Sequence, residues 1–291
     1  MDPPPCPPVG SVAHPARMID LDKTLESGPA AAVAAVPLWY HTIDVGSGVV
    51  TPGWFDLRPI VDRMPWPDVR GKRCLDVGTY DGYLAFELER RGASEVVATD
   101  IPSHEDWDWP IPMRERGPDF MRRVAGEKGL GFRVASQLLG SGVERAEVSV
   151  YELSPERLGE FDVVVCGSLL LHLKHPLRAL EAIRSVCGGH FLSAEEIDLP
   201  LTVLRRRVAA LRFDGLSDLF QWTIPNVAAH RRMVEAAGFS IERTSGRPYA
   251  IPYGSEHPAR GTGVRARGTR LARRLLAGGD GVPHHAILAG R

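Results

Sequence analysis

Apolar and polar positions change texture near residue 71. Upstream, 16–36 suits one or two short helices interrupted at Gly28-Pro29, since both residues disfavour a helix interior. An aromatic-rich connector follows over 39–55, and 57–64 suits another short helix, stopped by Pro65 and Pro67. Downstream, short apolar runs alternate with stretches of helical period. KRCLDV (72–77), EVVATD (95–100), VSVYEL (148–153), FDVVVCG (161–167) and HFLSAEEI (190–197) read as strands. Residues 82–91 space apolar side chains as a helix does and stop at Gly92. A helical region is expected within 119–140 and a helix over 176–186, which opens on proline, where a missing N–H costs nothing. Asn226 suits the N-cap of a helix reaching Ala237 and closed by Gly238. FSIERTS (239–245) and HHAILAG (284–290) supply the last two strands.

Strands alternating with helices of this length predict an α/β fold, a doubly wound and mostly parallel sheet of seven strands covered on both faces. The expected organisation is a disordered 1–15, a helical and aromatic extension over 16–70, and a ligand-binding domain over 71–291 with insertions near 200–222 and 254–281.

Composition narrows the function classes. Lys and Arg total 35 against 36 Asp and Glu, a balance that speaks against a dedicated polyanion binder. No apolar run approaches the roughly 18 residues that span a bilayer, and MDPPPCPPVG lacks the basic start and apolar stretch of a secretory signal. The four cysteines, Cys6, Cys74, Cys166 and Cys187, are widely spaced and form no CxxC pair. They read as thiols of a cytoplasmic protein. His172 and His175 lie three apart and His284 and His285 are adjacent. Neither pair has further carboxylate or thiolate ligands at metal-site spacing, so no metal is expected.

The chemistry concentrates at DVGTYDGY (76–83). An acid, Asp76, ends the first strand, and Gly78 and Gly82 bracket the turn into the first helix. A second acid, Asp100, ends the next strand, where a carboxylate accepts hydrogen bonds from the hydroxyls of a ribose. A dinucleotide turn starting at Gly78 would need glycines at 80 and 83, but Tyr80 and Tyr83 stand there and would crowd a pyrophosphate. The acid-first D-x-G-x-x-x-G turn suits S-adenosylmethionine better, because that molecule has no pyrophosphate.

The order DVGTYDGY, VVATD, VYEL, FDVVVCGSLLLHL resembles the class I methyltransferase series. WYHTIDVGSGVVTPGWFD (39–56) and GSLLLHLKHPLRALEAI (167–183) are closer still to the family of the wobble-uridine tRNA carboxymethyltransferase and related bacterial small-molecule methyltransferases. The resemblance spans roughly 39–239. It implies that Asp76, Gly78, Tyr80 and Gly82 line the methionyl and ribose end, that Asp100 with Ile101 holds the ribose, and that Glu152 and Leu153 flank the adenine. Gly167 and Ser168 would lie beneath the sulfonium. One departure matters. The carboxymethyl enzymes place a tyrosine before the histidine of their G-x-L-Y-H stretch, and this chain has Leu171 before His172. Ordinary methyl donation is therefore expected.

Methyl transfer from a sulfonium is an in-line displacement helped chiefly by positioning and by excluding water. A base is needed only when the acceptor loses a proton. His172, after the fourth strand, and His41, in the connector, are the candidates, followed by Asp106 and Asp108. Trp39, Tyr40, Trp54 and Phe55 could form a lid, drawn to the sulfonium by cation–π attraction, or simply pack the segment on the sheet. Trp107, Trp109 and Trp222 fall on irregular stretches expected to frame the acceptor, since binding loops gather at the carboxyl ends of strands. The arginine-rich 260–274 is expected to be a solvated loop or surface helix. The leading expectation is an O-methyltransferase of a small-molecule acceptor from secondary or glycoconjugate metabolism, weighed against tRNA modification and against a catalytically idle cofactor-binding protein.

Overall fold

The computed structural model describes residues 21–116, 127–216, 220–257 and 264–291. The expected disordered start and the first part of the 119–140 helix fall largely outside these residues. Helices α1 (Leu21–Glu26) and α2 (Pro29–Ala35) break at Gly28, whose φ of 98° favours glycine. After the connector, strand β1 (Arg73–Val77) is buried at every position beyond its first, as a strand covered on both faces must be. Then come α3 (Tyr83–Arg90), β2 (Glu95–Asp100) and α4 (Leu130–Leu139). These are followed by β3 (Glu144–Glu147), β4 (Phe161–Gly167), α5 (Pro176–Val186) and β5 (Cys187–Glu196).

The chain continues through α6 (Leu199–Leu204), the hairpin of β6 (Leu211–Phe213) and β7 (Thr223–Pro225), and α7 (Val227–Ala236). Asn226 caps α7 as expected, its side chain accepting from the Ala229 amide. Strands β8 (Ser240–Thr244) and β9 (Tyr249–Ile251), helix α8 (Val264–Ala277) and strand β10 (Val282–Gly290) complete the chain. The arginine-rich stretch is thus a surface helix from Val264 onward.

The main sheet runs β3-β2-β1-β4-β5-β10-β8, with β9 also paired to β10. Pairs among the first five strands are parallel, and β10 is antiparallel to its neighbours. Strand order reverses between β1 and β4, which opens a crevice at their carboxyl ends. One core layer joins sheet residues such as Ala98, Val165 and Leu192 to Val33, Trp39, Phe86 and Phe132. The opposite layer packs Leu75, Val164 and Phe191 against Leu180, Ile183 and Val234. Each buried Val, Leu, Ile or Phe side chain contributes about 1.5–3 kcal/mol on leaving water.

The third strand differs from the sequence expectation. The strand is the polar ERAE of β3, an edge strand, while VSVYEL turns away as a short 3-10 helix over Val150–Glu152. Apolar content misleads here, because Val148, Val150 and Leu153 dive into the second core layer instead of extending the sheet.

Candidate active site

The turn after β1 leaves no room for side chains at its glycines. A Cβ on Gly82 (φ 96°) would sit 2.4 Å from the Phe86 ring, and one on Gly78 (φ 77°) 2.9 Å from Leu169. Both positions also need left-handed backbone. Tyr80 shares that conformation at φ 52°, uncommon for a non-glycine residue. The amides of Gly78 and Thr79 donate to Thr99 O at 2.9 and 3.0 Å, and that of Tyr80 to Asp100 Oδ2 at 3.0 Å. These bonds tie the turn to the end of β2.

Two buried oxygens of this turn, Asp76 Oδ2 and Thr79 Oγ1, have no partner at full hydrogen-bond geometry among the described residues, although the Thr79 side chain lies close enough to favour the charged Asp76 carboxylate. Burial pushes the Asp76 carboxyl up to about 6. A buried acceptor without a donor is costly, so these oxygens suit a ligand that brings donors or positive charge. Asp100 is held differently. Oδ1 accepts from Ile101 N at 2.8 Å, and Oδ2 pairs with Lys128 Nζ at 2.8 Å, both side chains being under one-tenth exposed. The Lys128 ammonium also lies 4.5 Å from the Tyr80 ring centre. With two lone pairs per oxygen, Oδ1 retains one free position, and Oδ2 gains one when Lys128 turns aside. A ribose diol fits that carboxylate on this condition. Val36, Leu38, Tyr80, Asp81, Lys128 and Gly129 line the adjoining cleft.

The aromatic connector is clamped to the same turn. Asp81 Oδ2 accepts from the amides of Tyr40 and His41 at 2.8 Å each, and Oδ1 meets His41 Nδ1. The Tyr40 ring thereby lies 5.3 Å from that of Tyr80 and 5.0 Å from that of Phe55. Beyond the carboxyl end of β4, Ser168 takes left-handed backbone at φ 51°, and its hydroxyl meets His284 Nε2 at 2.8 Å. His284 Nδ1 faces the Val282 carbonyl, so Nδ1 donates and Nε2 accepts from Ser168. Burial lowers His284 to about 4 and raises Glu195 to about 8. Glu195 accepts from the amides of Leu169 and Leu170 and holds the loop after β4.

A sequence profile described as a methyltransferase domain matches residues 56–244. The chain belongs to the methyltransferase-domain family. Its donor is S-adenosylmethionine. This methyltransferase is 27% identical over 199 residues to a ubiquinone biosynthesis O-methyltransferase of Acinetobacter baumannii, a match covering 64% of this chain and 73% of the relative. It is 28% identical over 137 residues to a tRNA U34 carboxymethyltransferase of Campylobacter hominis, covering 46% and 40%. Among solved structures, the putative methyltransferase of Haloferax volcanii in complex with the Trm112 activator shares the fold. The identity is 14% and the TM-score 0.50, over 93% of this chain and 96% of that one.

Several residues expected at the methyltransferase's site are engaged in packing or bracing. Trp39 is 2% exposed, and its indole N–H donates to Val33 O at 3.0 Å. It is a core residue and not a lid. Trp109 is 1% exposed, with its N–H on His104 O, and packs a small satellite core with Met113, Trp107 and Phe220. Leu153 is buried in the second core layer, and Glu152 pairs with Arg157 at the surface. Both follow from the shifted third strand, which ends at Glu147, before either residue. Asp108 is consumed in bracing, since its carboxylate accepts from Lys174 N and Tyr151 Oη and its carbonyl from the Trp222 indole. Asp106 is exposed. The His172 Nδ1–H donates to Phe220 O at 2.9 Å, which fixes the ring and leaves Nε2 as an acceptor, and burial lowers its pKa.

Asp81, Lys128, Glu195, Glu196 and His284 were not picked out by motif or spacing. Asp81 lies inside the quoted motif, so a second acid in the turn was the available signal. The others meet the site only through tertiary folding.

Proposed function

We propose that this methyltransferase methylates an oxygen of a small organic acceptor. The observation that carries the proposal is the aromatic wall beside the clamped connector. Tyr40, Trp54, Phe55, Tyr253 and His257 are partly exposed, and each ring centre lies 4.1–6.3 Å from those of at least two others. Such a surface receives a compact organic molecule. The similarity to an O-methyltransferase and the formal net charge of −1 support the same reading.

The bound donor supplies an electrophilic methyl group on a sulfonium. In this proposal Asp76 and Thr79 receive the ammonium of its methionyl end, and Asp100 with the Ile101 amide holds the ribose. Gly167 and Ser168 lie beneath the sulfonium, and the Tyr40 and Tyr80 rings face it by cation–π attraction. His41, held by Asp81, and His172, held by Phe220, keep the two loops over the cleft and exclude water. Leu171 is 2% exposed and presents no hydroxyl to a carboxylated donor.

The second reading is tRNA modification. Exposed Arg205, Arg206 and Arg207 favour it, because cationic side chains contact phosphates. The deciding experiment is calorimetry with S-adenosylmethionine and its carboxy derivative, followed by incubation with labelled donor against bulk tRNA and a panel of hydroxylated small molecules. Preference for the plain donor and label in the small molecules support the proposal. Preference for the carboxy donor and label in tRNA would replace it with the second reading.

A further inference from the structure

A polar row crosses the top of the sheet. Tyr249 on β9 is paired with His284 on β10, and His284 with Glu196 on β5. Residues directly opposite share a face, so the three side chains form one line, continued by Ser168 through its hydrogen bond to His284. The Tyr249 hydroxyl is fully buried and has no hydrogen-bond partner among the described residues. Glu196 is less enclosed. Its Oε2 accepts from Gln221 Nε2 at 3.1 Å, and among the described residues none donates to Oε1.

Gln221, between β6 and β7, donates to this carboxylate, and the charges of Arg212 on β6 and Arg273 on α8 act on it, as it acts on Tyr40 of the connector. Arg212 is itself engaged by Asp198 and Asp214, and Arg273 by the Tyr253 hydroxyl. His284 is neutral and is occupied by Ser168 and Val282. Glu195, on the opposite face of the same strand, is committed to the loop amides. Glu196 Oε1 is therefore a carboxylate oxygen with no donor among the described residues, on the row that ends at Ser168 of the loop after β4.

We propose that Glu196 is the general base of the transfer and that the acceptor is an aryl hydroxyl lying against the Tyr40–Phe55 wall. This rests on the small-molecule reading above. The O–H proton passes to Glu196 Oε1 as the oxygen forms its bond to the methyl carbon. The methyl–sulfur bond breaks, sulfur keeps that electron pair as S-adenosylhomocysteine, and Glu196 releases the proton to water. Gln221 orients the carboxylate through Oε2. Loss of water around Glu196 raises it to about 7, against the pull of Arg212 and Arg273, and a base near the working pH is the most effective.

The test uses the full-length protein, labelled S-adenosylmethionine and catechol as the acceptor probe, with the rate followed from pH 5.5 to 9.5. The wild-type rate is expected to rise with unit slope to about pH 7 and then level. Glu196→Gln should bind S-adenosylmethionine as the wild type does, yet turn over about 100-fold more slowly or worse at pH 7, as loss of a general base does. Its rate should climb without a plateau as the phenol ionises on its own, near pH 10 as in tyrosine. Glu196→Asp should keep the plateau at a reduced rate, which covers the case that the glutamine variant misfolds. Equal rates for wild type and Glu196→Gln at pH 7, or a plateau surviving in that variant, overturn the base assignment. A wild type that binds the donor but leaves catechol unmethylated overturns the aryl-hydroxyl assignment. Failure to bind the donor overturns the underlying reading as well.

Discussion

Replacing Asp100 by alanine removes two functions at once, and a second substitution separates them. In the folded protein Asp100 neutralises Lys128, whose side chain is 5% exposed, and accepts from the Tyr80 and Ile101 amides. Removing one partner of a buried pair costs about 3–5 kcal/mol. Lys128 lies at the cleft edge and can turn toward water, so the lower end, about 3 kcal/mol, is expected. For a chain of this size that is a fall in Tm of roughly 5–10 °C. The ribose contribution is separate. Two hydrogen bonds to a charged acceptor are lost, at about 1.5–3 kcal/mol each, opposed by no longer having to displace Lys128. The net expectation is a rise in Kd for S-adenosylmethionine of at least about tenfold. Asp100→Ala combined with Lys128→Met should recover most of the Tm but none of the affinity. Circular dichroism melts and calorimetry on the wild type, both single variants and the double variant close the cycle. Recovery of affinity together with stability would show that Asp100 is only a scaffold for the turn, and would refute its ribose role.

Further outcomes follow from the same geometry. His230, His284 and His285 are buried and held neutral, the last two lowered to about 4 and His230 well below its usual value. Their folded pKa values lie below the unfolded 6.5, so this stabilisation is present above pH 6.5 and is lost as pH falls toward 4. A Tm series should decline over that window, and His284→Gln should flatten it; an unchanged slope would remove His284 from the explanation. Trp39→Ala should destabilise by about 3–5 kcal/mol, as large core truncations do, in urea unfolding; a stable variant with impaired turnover would restore the lid. Gly82→Ala should lower both Tm and donor affinity, because its Cβ meets Phe86 at 2.4 Å; neither effect would mean that the turn relaxes freely. Asp81→Asn weakens the clamp on Tyr40 and His41. Turnover should fall more than donor binding, and equal kinetics would detach the connector from the site.

The turn proposed to hold the donor was legible because it is local. Asp76, Gly78 and Gly82 lie on one strand-turn-helix unit, and Asp100 ends the strand paired beside it. Alternation of apolar runs and helical periods located β1, β2, β4, β5 and α5 because those elements are buried and regular. β3 defeated the same logic. An edge strand needs no apolar content, and its ERAE is nearly all polar, whereas the apolar VSVYEL is used for packing. Tryptophan misled likewise. Trp39 and Trp109 are large enough to serve a core and carry an N–H that a backbone carbonyl satisfies, so aromatic content alone does not separate lid from packing.

The acceptor half is assembled from segments far apart in sequence. Tyr40, Ser168, Glu196, Gln221, Tyr249, Arg273 and His284 come from the connector, three strands, two insertions and the loop after β4. No spacing rule joins them. What joins them is register. Antiparallel β10 is inserted beside β5, which sets His284 opposite Glu196, and β9 then sets Tyr249 opposite His284. A shift of one residue would turn all three to the other face, where Ser193, His230 and His285 already form their own buried contact. The adjacent pairs Glu195-Glu196 and His284-His285 thus divide between two environments. One member of each faces the site, and the other holds the loop after β4 or packs against α7. Read along the chain they look like repeated acids and repeated histidines, but the pleat gives each residue of a pair a different task.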